Sequence, residues 1–384
     1  MEAYFDNSAT TKVFDSVKEI VIKTMTEDYG NAASKHKKGV EAERYIKEAR
    51  TIIAKSLKVQ EKEIVFTSGG SESNNMALIG GAMANRRRGR HIISTNVEHS
   101  SVYNTLEFLR DQGFEITYLP VDSQGHISLS QLRESLRQET ILVSVMYVNN
   151  EVGSVEPVEE IAKIIKGYQP EILFHVDGIQ AYGKYEIRPK RQGIDLLSVS
   201  GHKLHGPKGV GFLYIHEKAK VKPLIYGGGQ QKGMRSGTEN VPGVAGLGAA
   251  VQEIYKNHRD KTDYLYGLKD YFIERIHEVE GCVVNSQPGR DSAPQIVSVS
   301  FEGIRSEVLL HALEDKGIYV SSGSACSSNH PGISGTLKGI GVKPELLDAT
   351  LRFSFGLFNT KEEIDYAIQM LKELLPMLRR FRRG

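Results

Sequence analysis

Lys203 is placed where an amine could do covalent chemistry. It lies in Ser198-Val-Ser-Gly-His-Lys-Leu-His-Gly-Pro-Lys208, after the apolar run Ile194-Asp-Leu-Leu-Ser-Val199 and before a Gly-Pro turn. Partial dehydration at such a point disfavours the ammonium form, lowering an amine's pKa from about 10.4 and making it a nucleophile or base near neutrality. Upstream, Ile172-Leu-Phe-His-Val-Asp-Gly-Ile-Gln180 is an apolar strand pattern that ends on Asp177. Taken singly, a lysine beside a turn stays hydrated and an aspartate at a strand end is a turn former. Taken together they meet the two demands of pyridoxal phosphate (PLP), an amine for its aldehyde and a carboxylate that keeps its pyridine nitrogen protonated.

The elements that would position this pair alternate along the chain. A short extended segment, Tyr4-Phe-Asp-Asn-Ser-Ala-Thr-Thr11, precedes a helix expected at about Phe14 to Thr26. Ala42, Tyr45, Ile46, Ala49, Ile52, Ile53 and Leu57 recur at three- and four-residue steps and mark the buried face of a long helix. Glu63-Ile-Val-Phe-Thr67 reads as a strand, followed by Ser-Gly-Gly-Ser-Glu-Ser-Asn-Asn75 and a helix starting near Ser71. A strand, a glycine turn and a hydroxyl-rich helix start gather unpaired N–H groups and the positive end of the helix dipole. The stretch lacks the lysine of a P-loop and the spacing of a dinucleotide fingerprint, so a monophosphate suits it better than a nucleotide; a capped helix with no ligand is the other reading. Further strands are expected at His91–Ser94, Glu115–Tyr118, Ile141–Met146, Phe174, Leu196 and Val210–Ile215, with helices after Ser100, Leu129 and Pro157.

Apolar strands separated by amphipathic helices predict a mostly parallel sheet covered on both faces, with ligands beyond the carboxyl ends of its strands. His99, Asn150, Asp177 and Ser200 all follow such strands. Near Tyr255 the texture changes to a long charged helix, strands at Cys282-Val-Val and Gln295–Phe301, and a helix from about Ser306 to Lys316. A long loop is expected to run to Gly341, before the strand Thr350–Phe355 and a final helix from Lys361. This predicts a large domain over 15–255 and a smaller α/β domain formed by 1–14 and 256–384.

The 49 basic and 47 acidic residues leave a formal charge of +2, which gives no global reason to expect direct nucleic-acid binding. The clusters Arg86-Arg-Arg-Gly-Arg90 and Arg379-Arg-Phe-Arg-Arg383 read as solvated helix ends or a partner patch. Two cysteines, Cys282 and Cys326, make no disulfide framework, and no signal peptide or membrane span is evident. A reducing cytoplasm is the expected location.

With these stretches in place, the chain resembles the NifS/IscS-type (group I) cysteine desulfurases of the class V aminotransferase superfamily. The resemblance covers essentially the whole sequence. It rests on Asp6-Asn-Ser-Ala-Thr-Thr11, Phe66-Thr-Ser-Gly-Gly-Ser-Glu-Ser-Asn-Asn75, Glu98-His99, Val148-Asn-Asn-Glu-Val-Gly153, His175-Val-Asp177, Ser200-Gly-His-Lys203, Arg235-Ser-Gly-Thr-Glu-Asn240, Ser321-Ser-Gly-Ser-Ala-Cys326 and Leu351-Arg-Phe-Ser354, in family order. It implies a PLP-dependent transferase of fold type I, with a mostly parallel seven-stranded sheet in the large domain. It also implies that Lys203 carries PLP, Asp177 pairs with the pyridine nitrogen, Gln180 contacts the phenolic oxygen, and His99 stacks on the ring and relays protons. Gly70, Ser71, Ser200 and His202 would hold the phosphate, with Thr238 reaching it from the other subunit of a homodimer. Asn150 and Arg352 would take the substrate carboxylate, for which arginine's planar fork is suited.

Cys326 separates desulfuration from transamination. It lies in a run of small residues, whereas Cys282 sits between apolar neighbours and reads as a packing residue. A thiol with a pKa of about 8.5 already supplies some thiolate at neutral pH. The resemblance implies that Lys203 takes the Cα proton of L-cysteine and that Cys326 attacks the substrate sulfur. L-alanine leaves, and the persulfide on Cys326 passes to an acceptor protein such as an iron–sulfur scaffold or a tRNA-thiolation enzyme. No resident metal is expected, apart from a transient iron–sulfur cluster on Cys326. An aminotransferase, a selenocysteine lyase and a non-catalytic assembly subunit are the competing readings. The sequence departs from the family at Gly70-Ser71, where Ala-Thr is common, at Gly178, where alanine is usual, and at Lys12, Ala32-Ala33 and Leu357.

Overall fold

The computed structural model describes residues 1–322 and 334–380. Seven strands lie side by side in the order Ile64–Thr67, Gly211–Ile215, Leu196–Ser200, Leu173–Asp177, Thr140–Met146, His91–Thr95 and Glu115–Leu119. Only Gly211–Ile215 runs against its neighbours, so the sheet is mostly parallel, as expected. The central strands are apolar over nearly every residue because helices cover both faces. On one face Phe66, Val143, Phe174 and Leu197 pack under the helices Lys37–Leu57 and Val241–Tyr255; on the other, Val65, Ile92, Leu142 and Leu196 pack under Ser100–Asp111.

A second, four-stranded antiparallel sheet has the order Ser321–Ser322, Thr350–Ser354, Ile296–Phe301 and Cys282–Val284. Its core contains Phe272, Val299, Leu313, Phe353 and Leu371, from the helices His258–Ile276, Ser306–Glu314 and Lys361–Arg380 and the strands between them. The N-terminal segment joins this core: Ala3–Tyr4 pairs in parallel with Ile318–Tyr319, and Ala3 and Phe5 are fully buried. Among the described residues, no helix is long and apolar enough to cross a membrane.

Most element boundaries fall within two residues of the sequence expectation. Two differ in kind: the helix Val241–Tyr255 answers to no expected element, and another helix stands within an expected loop. The expected loop to Gly341 contains a helix at Gly335–Gly339. Ser334 caps it by accepting from Leu337 N–H, and Leu337 packs with Val152 and Ile340. A single buried leucine among small residues is too short a pattern to read as a helix.

Two departures from the family have a steric reason. At Gly178, a Cβ would sit 2.6 Å from Cδ1 of the fully buried Leu197. At Gly70, it would sit 2.2 Å from Cδ1 of Ile179. Glycine here is matched to the bulk of a neighbouring aliphatic side chain. Gly178→Ala should lower stability by about 1–3 kcal/mol through overpacking, seen as a lower thermal midpoint. Leu197→Val, which withdraws a methyl, should cost less in that background than in the wild-type chain.

Candidate active site

The carboxyl ends of the parallel strands converge on a cavity of about 270 Å³. Ten of the expected residues line it: Gly70, Ser71, His99, Asn150, Asp177, Gln180, Ser200, His202, Lys203 and Arg352. Ser8 and Ala9 close one side from the N-terminal segment, and Arg352 enters from the small sheet.

Lys203 ends the short turn Gly201–Lys203 that follows the strand Leu196–Ser200. Its amine donates to the carbonyls of Ser8 at 2.5 Å and Ala9 at 2.8 Å. Asp177 is the last residue of its strand and is only 2% exposed. Its carboxylate accepts from Asn74 Nδ2 at 2.8 Å and from the Ile179 N–H at 3.0 Å. Burial raises its pKa, opposed by the Ile179 hydrogen bond, His99, Asn74 and Lys203. Such a carboxylate is matched to a cation within the cavity, because a buried charge without one is costly.

His99 is the N-cap of the helix Ser100–Asp111, and its Nδ1 accepts from Ser101 N–H at 3.1 Å. That hydrogen bond assigns the proton of the neutral ring to Nε2. Burial holds His99 below its ordinary pKa, with Asp177 opposing and Lys203 reinforcing the shift. His202 is pushed down to about 4 by burial and by Lys203, Lys208 and Lys184. Gly69, at φ 148°, turns the chain into the helix Gly70–Asn75 and lets it pass close to Gly211, whose own Cβ would lie 2.9 Å from the Gly69 Cα.

Arg352 donates from Nη1 to the Asn150 carbonyl at 2.8 Å and from Nη2 to Asp6 at 2.9 Å. Its Nε is buried and has no partner among the described residues. Ser8 Oγ, Thr10 Oγ1 and His202 Nδ1 are in the same condition. Ser8, His202 and Arg352 line the cavity, and three orphaned polar atoms there are what groups that pair with a ligand would show.

Thr238 does not line the cavity; it is exposed, near Arg235, whose Nε is 2.8 Å from Glu72 at the start of the Gly70–Asn75 helix. The resemblance assigned Thr238 to the site of another subunit. Cys326, expected to be the nucleophile and a transient cluster ligand, lies outside the described residues. On one side of it, Ser321 pairs with Arg352; on the other, Ser334 Oγ donates to Glu151 Oε2 at 2.5 Å. Cys282 is half-buried, and burial pushes its thiol up to about 12, which leaves it protonated.

Sequence reasoning missed Asn74, Asp6 and the two carbonyls that hold Lys203. Asn74 lies in a quoted motif, four residues from Gly70 and so on the same helix face, which was the available signal. The carbonyls had none, because main-chain acceptors are common to every residue type.

The sequence pattern of the family described as Aminotransferase class-V matches residues 3–367. A Methanosarcina thermophila protein named cysteine desulfurase IscS is 43% identical over 98% of this chain and 92% of its own length. The chain belongs to the class-V aminotransferase family, in its NifS/IscS-type cysteine desulfurase branch. A solved NifS-like protein superposes with a TM-score of 0.93 at 38% identity, covering 98% of this chain and 100% of that one. A second, SspA in complex with cysteine, superposes with a TM-score of 0.82 at 34% identity, covering 93% and 100%.

This family is PLP-dependent, and the donor set fits that cofactor. The buried Asp177 carboxylate suits a protonated ring nitrogen, Lys203 would supply the amine, and His202, whose Nδ1 is orphaned, lines one pocket with Ser71 and Ser200, whose hydroxyls would meet a phosphate.

Glu98 adds a pH-dependent element next to His99. Its Oε1 accepts from Thr95 Oγ1 at 2.8 Å and from the Met146 N–H at 2.9 Å, while Oε2 is orphaned. Burial pushes it up to about 8 from an ordinary 4.5. A folded-state pKa above the unfolded value means stability is lost as pH rises from 4.5 toward 8. The stability of Glu98→Gln relative to wild type should therefore improve across that window, by on the order of a few kcal/mol, as read from unfolding midpoints at its two ends.

Proposed function

We propose that this enzyme removes sulfur from L-cysteine, leaving L-alanine and a persulfide on Cys326 that an acceptor protein then takes. The observation that carries this reading is that Lys203, Asp177, His99 and Arg352 open onto one cavity. The cysteine bound in the structurally similar SspA supports the substrate.

PLP would be held by Lys203 through its amine, by Asp177 at the pyridine nitrogen, by Gln180 at the phenolic oxygen and by His99 on the ring face. Gly70, Ser71, Ser200 and His202 would take its phosphate, with Thr238 supplied by the partner in a homodimer. When bound there, PLP supplies a carbonyl for the substrate amine and an electron sink for the Cα–H bond.

The chain's own groups do the rest. Arg352 and Asn150 orient the substrate carboxylate, with the orphaned Nε of Arg352 as the donor in reserve. Lys203 takes the Cα proton, which its carbonyl partners Ser8 and Ala9 are placed to stabilise as an ammonium. The thiolate of Cys326 attacks the substrate sulfur, so that a sulfur–sulfur bond forms as the Cβ–sulfur bond breaks. Atoms balance without an outside oxidant: cysteine and an enzyme thiol become alanine and an enzyme persulfide.

The division into 15–255 and 1–14 with 256–384 assigns PLP to the larger domain and Cys326 to the smaller. A reducing cytoplasm suits a free catalytic thiol, and an iron–sulfur scaffold or a tRNA-thiolation enzyme suits the acceptor's part.

Incubating the enzyme with cysteine and no oxo acid tests this reading. Continuous alanine release is expected; a stalled half-reaction would indicate transamination instead. Cys326→Ala should keep the bound cofactor's absorbance and lose the trapped persulfide, and sulfur release at the wild-type rate would remove Cys326 from the mechanism. Arg352→Gln should raise the KM for cysteine about 10- to 100-fold, as expected for losing one charged partner of a carboxylate, with cofactor absorbance unchanged.

A further inference from the structure

The arginine that would receive the substrate carboxylate already holds one from its own chain. Arg352 Nη2 lies 2.9 Å from Asp6 Oδ1, and Nη1 donates to the Asn150 carbonyl at 2.8 Å. Arg352 lines the cavity and Asp6 does not, so Asp6 reaches the guanidinium from outside the cavity wall. Its main chain is fixed there. Asp6 bridges in parallel to Ser354, two residues along the strand from Arg352, and its carbonyl accepts from the N–H groups of Ala9 and Thr10. Among the described residues no other carboxylate forms an ion pair with Arg352. Glu151, Lys203 and Tyr4 also act on the pair through their charges.

A guanidinium takes a carboxylate through two parallel N–H bonds, either from Nη1 with Nη2 or from Nε with Nη2. In Arg352 it is Nε that is buried without a partner. The edge left for a ligand is therefore Nε with Nη2, and Nη2 is the atom that Asp6 already holds. Two carboxylates that share one nitrogen lie within the roughly 4–6 Å over which like charges oppose each other.

We propose that Asp6 is a positioning residue that also sets affinity: it holds the Arg352 guanidinium so that the Nε edge stays open, and its charge keeps the grip of that edge on a carboxylate weak. The carboxylate of L-cysteine passes unchanged into L-alanine. A stronger contact at that group would hold product as firmly as substrate and would not speed the reaction. A built-in competitor for Nη2 opposes such retention. This role rests on the reading of Arg352 as the partner of the substrate carboxylate.

Calorimetry on the enzyme reconstituted with PLP tests it with two fragments of cysteine. Mercaptopropionate keeps the carboxylate and lacks the amine; cysteamine keeps the amine and lacks the carboxylate. Asp6→Asn retains an acceptor for Nη2 and removes the charge. It should bind mercaptopropionate about 10-fold more tightly than the wild-type chain, with no tightening for cysteamine. The KM for cysteine and the inhibition constant of L-alanine should fall together, while kcat does not rise. Asp6→Ser, also neutral, should shift mercaptopropionate in the same direction and serves where Asp6→Asn does not fold. Unchanged or weaker mercaptopropionate binding in the folded neutral variant overturns the proposal, because Asp6 would then act by anchoring alone. So does equal tightening of both fragments. Arg352→Gln reads the premise separately: if it leaves mercaptopropionate binding unchanged, Arg352 is not the partner of the carboxylate, and the role of Asp6 falls with that reading.

Discussion

A carboxylate held out of water at the end of a parallel strand is the constraint around which this site is built. Asp177 is buried, and its two donors, Asn74 and the Ile179 N–H, satisfy it only as an acceptor. In a low-dielectric cavity an ionised carboxylate needs a positive partner, and neutral hydrogen bonds offset only part of the desolvation cost. Lys203 is already engaged with two carbonyls of the N-terminal segment. A protonated heteroaromatic ring lying between the two residues would meet the electrostatic demand of Asp177 while leaving the lysine amine to chemistry.

That constraint explains why so much of the fold serves one cavity. Neighbouring parallel strands deliver Met146, Asp177 and Ser198 in register, so the residues that follow them emerge side by side. The helix carrying Asn74 must approach closely enough to reach Asp177, and glycine at positions 69 and 70 allows it. With Gly70 lacking a side chain, Ile179 fills the space; with Gly178 lacking one, Leu197 does. These departures from the family's usual residues are compensated locally, in the packing beneath the site, and leave its donors and acceptors in place.

Much of this was legible in the sequence, for identifiable reasons. The central strands show as apolar runs because both faces are covered, and the helix Lys37–Leu57 shows because only one side is buried. The helix Val241–Tyr255 is not visible this way. It is enclosed nearly all round, with Gly246 against Pro207 and Gly248 against Ala49, so no polar face interrupts the pattern. Ten cavity residues could be named because they fall in motifs that resemble the family's, although only Lys203 and Asp177 pointed to a cofactor by their own chemistry. Asp6 could not, since its partner Arg352 lies at the far end of the chain and spacing carries no information about such a pair.

Arg352 shows how the two sheets become one machine. In its own strand it is opposite Ser298 on one side and Ser321 on the other, so its position is set by two ladders. Its guanidinium crosses to the large sheet's loops through Asn150 and to the N-terminal segment through Asp6. The same Asp6 region supplies the carbonyls that hold Lys203, and the strand paired to Arg352 is the described segment preceding Cys326. Burial raises the pKa of Asp6 while Arg352 and Lys203 oppose the rise, so the carboxyl is held by whichever cations face it. A substrate carboxylate arriving at Arg352 would add a second anion beside Asp6, and the like-charge repulsion would weaken the hold of Asp6 on the guanidinium. Recognition of a carboxylate by Arg352 would thereby be coupled, through one arginine, to the segment that holds Lys203 and to the strand that precedes Cys326 in the chain.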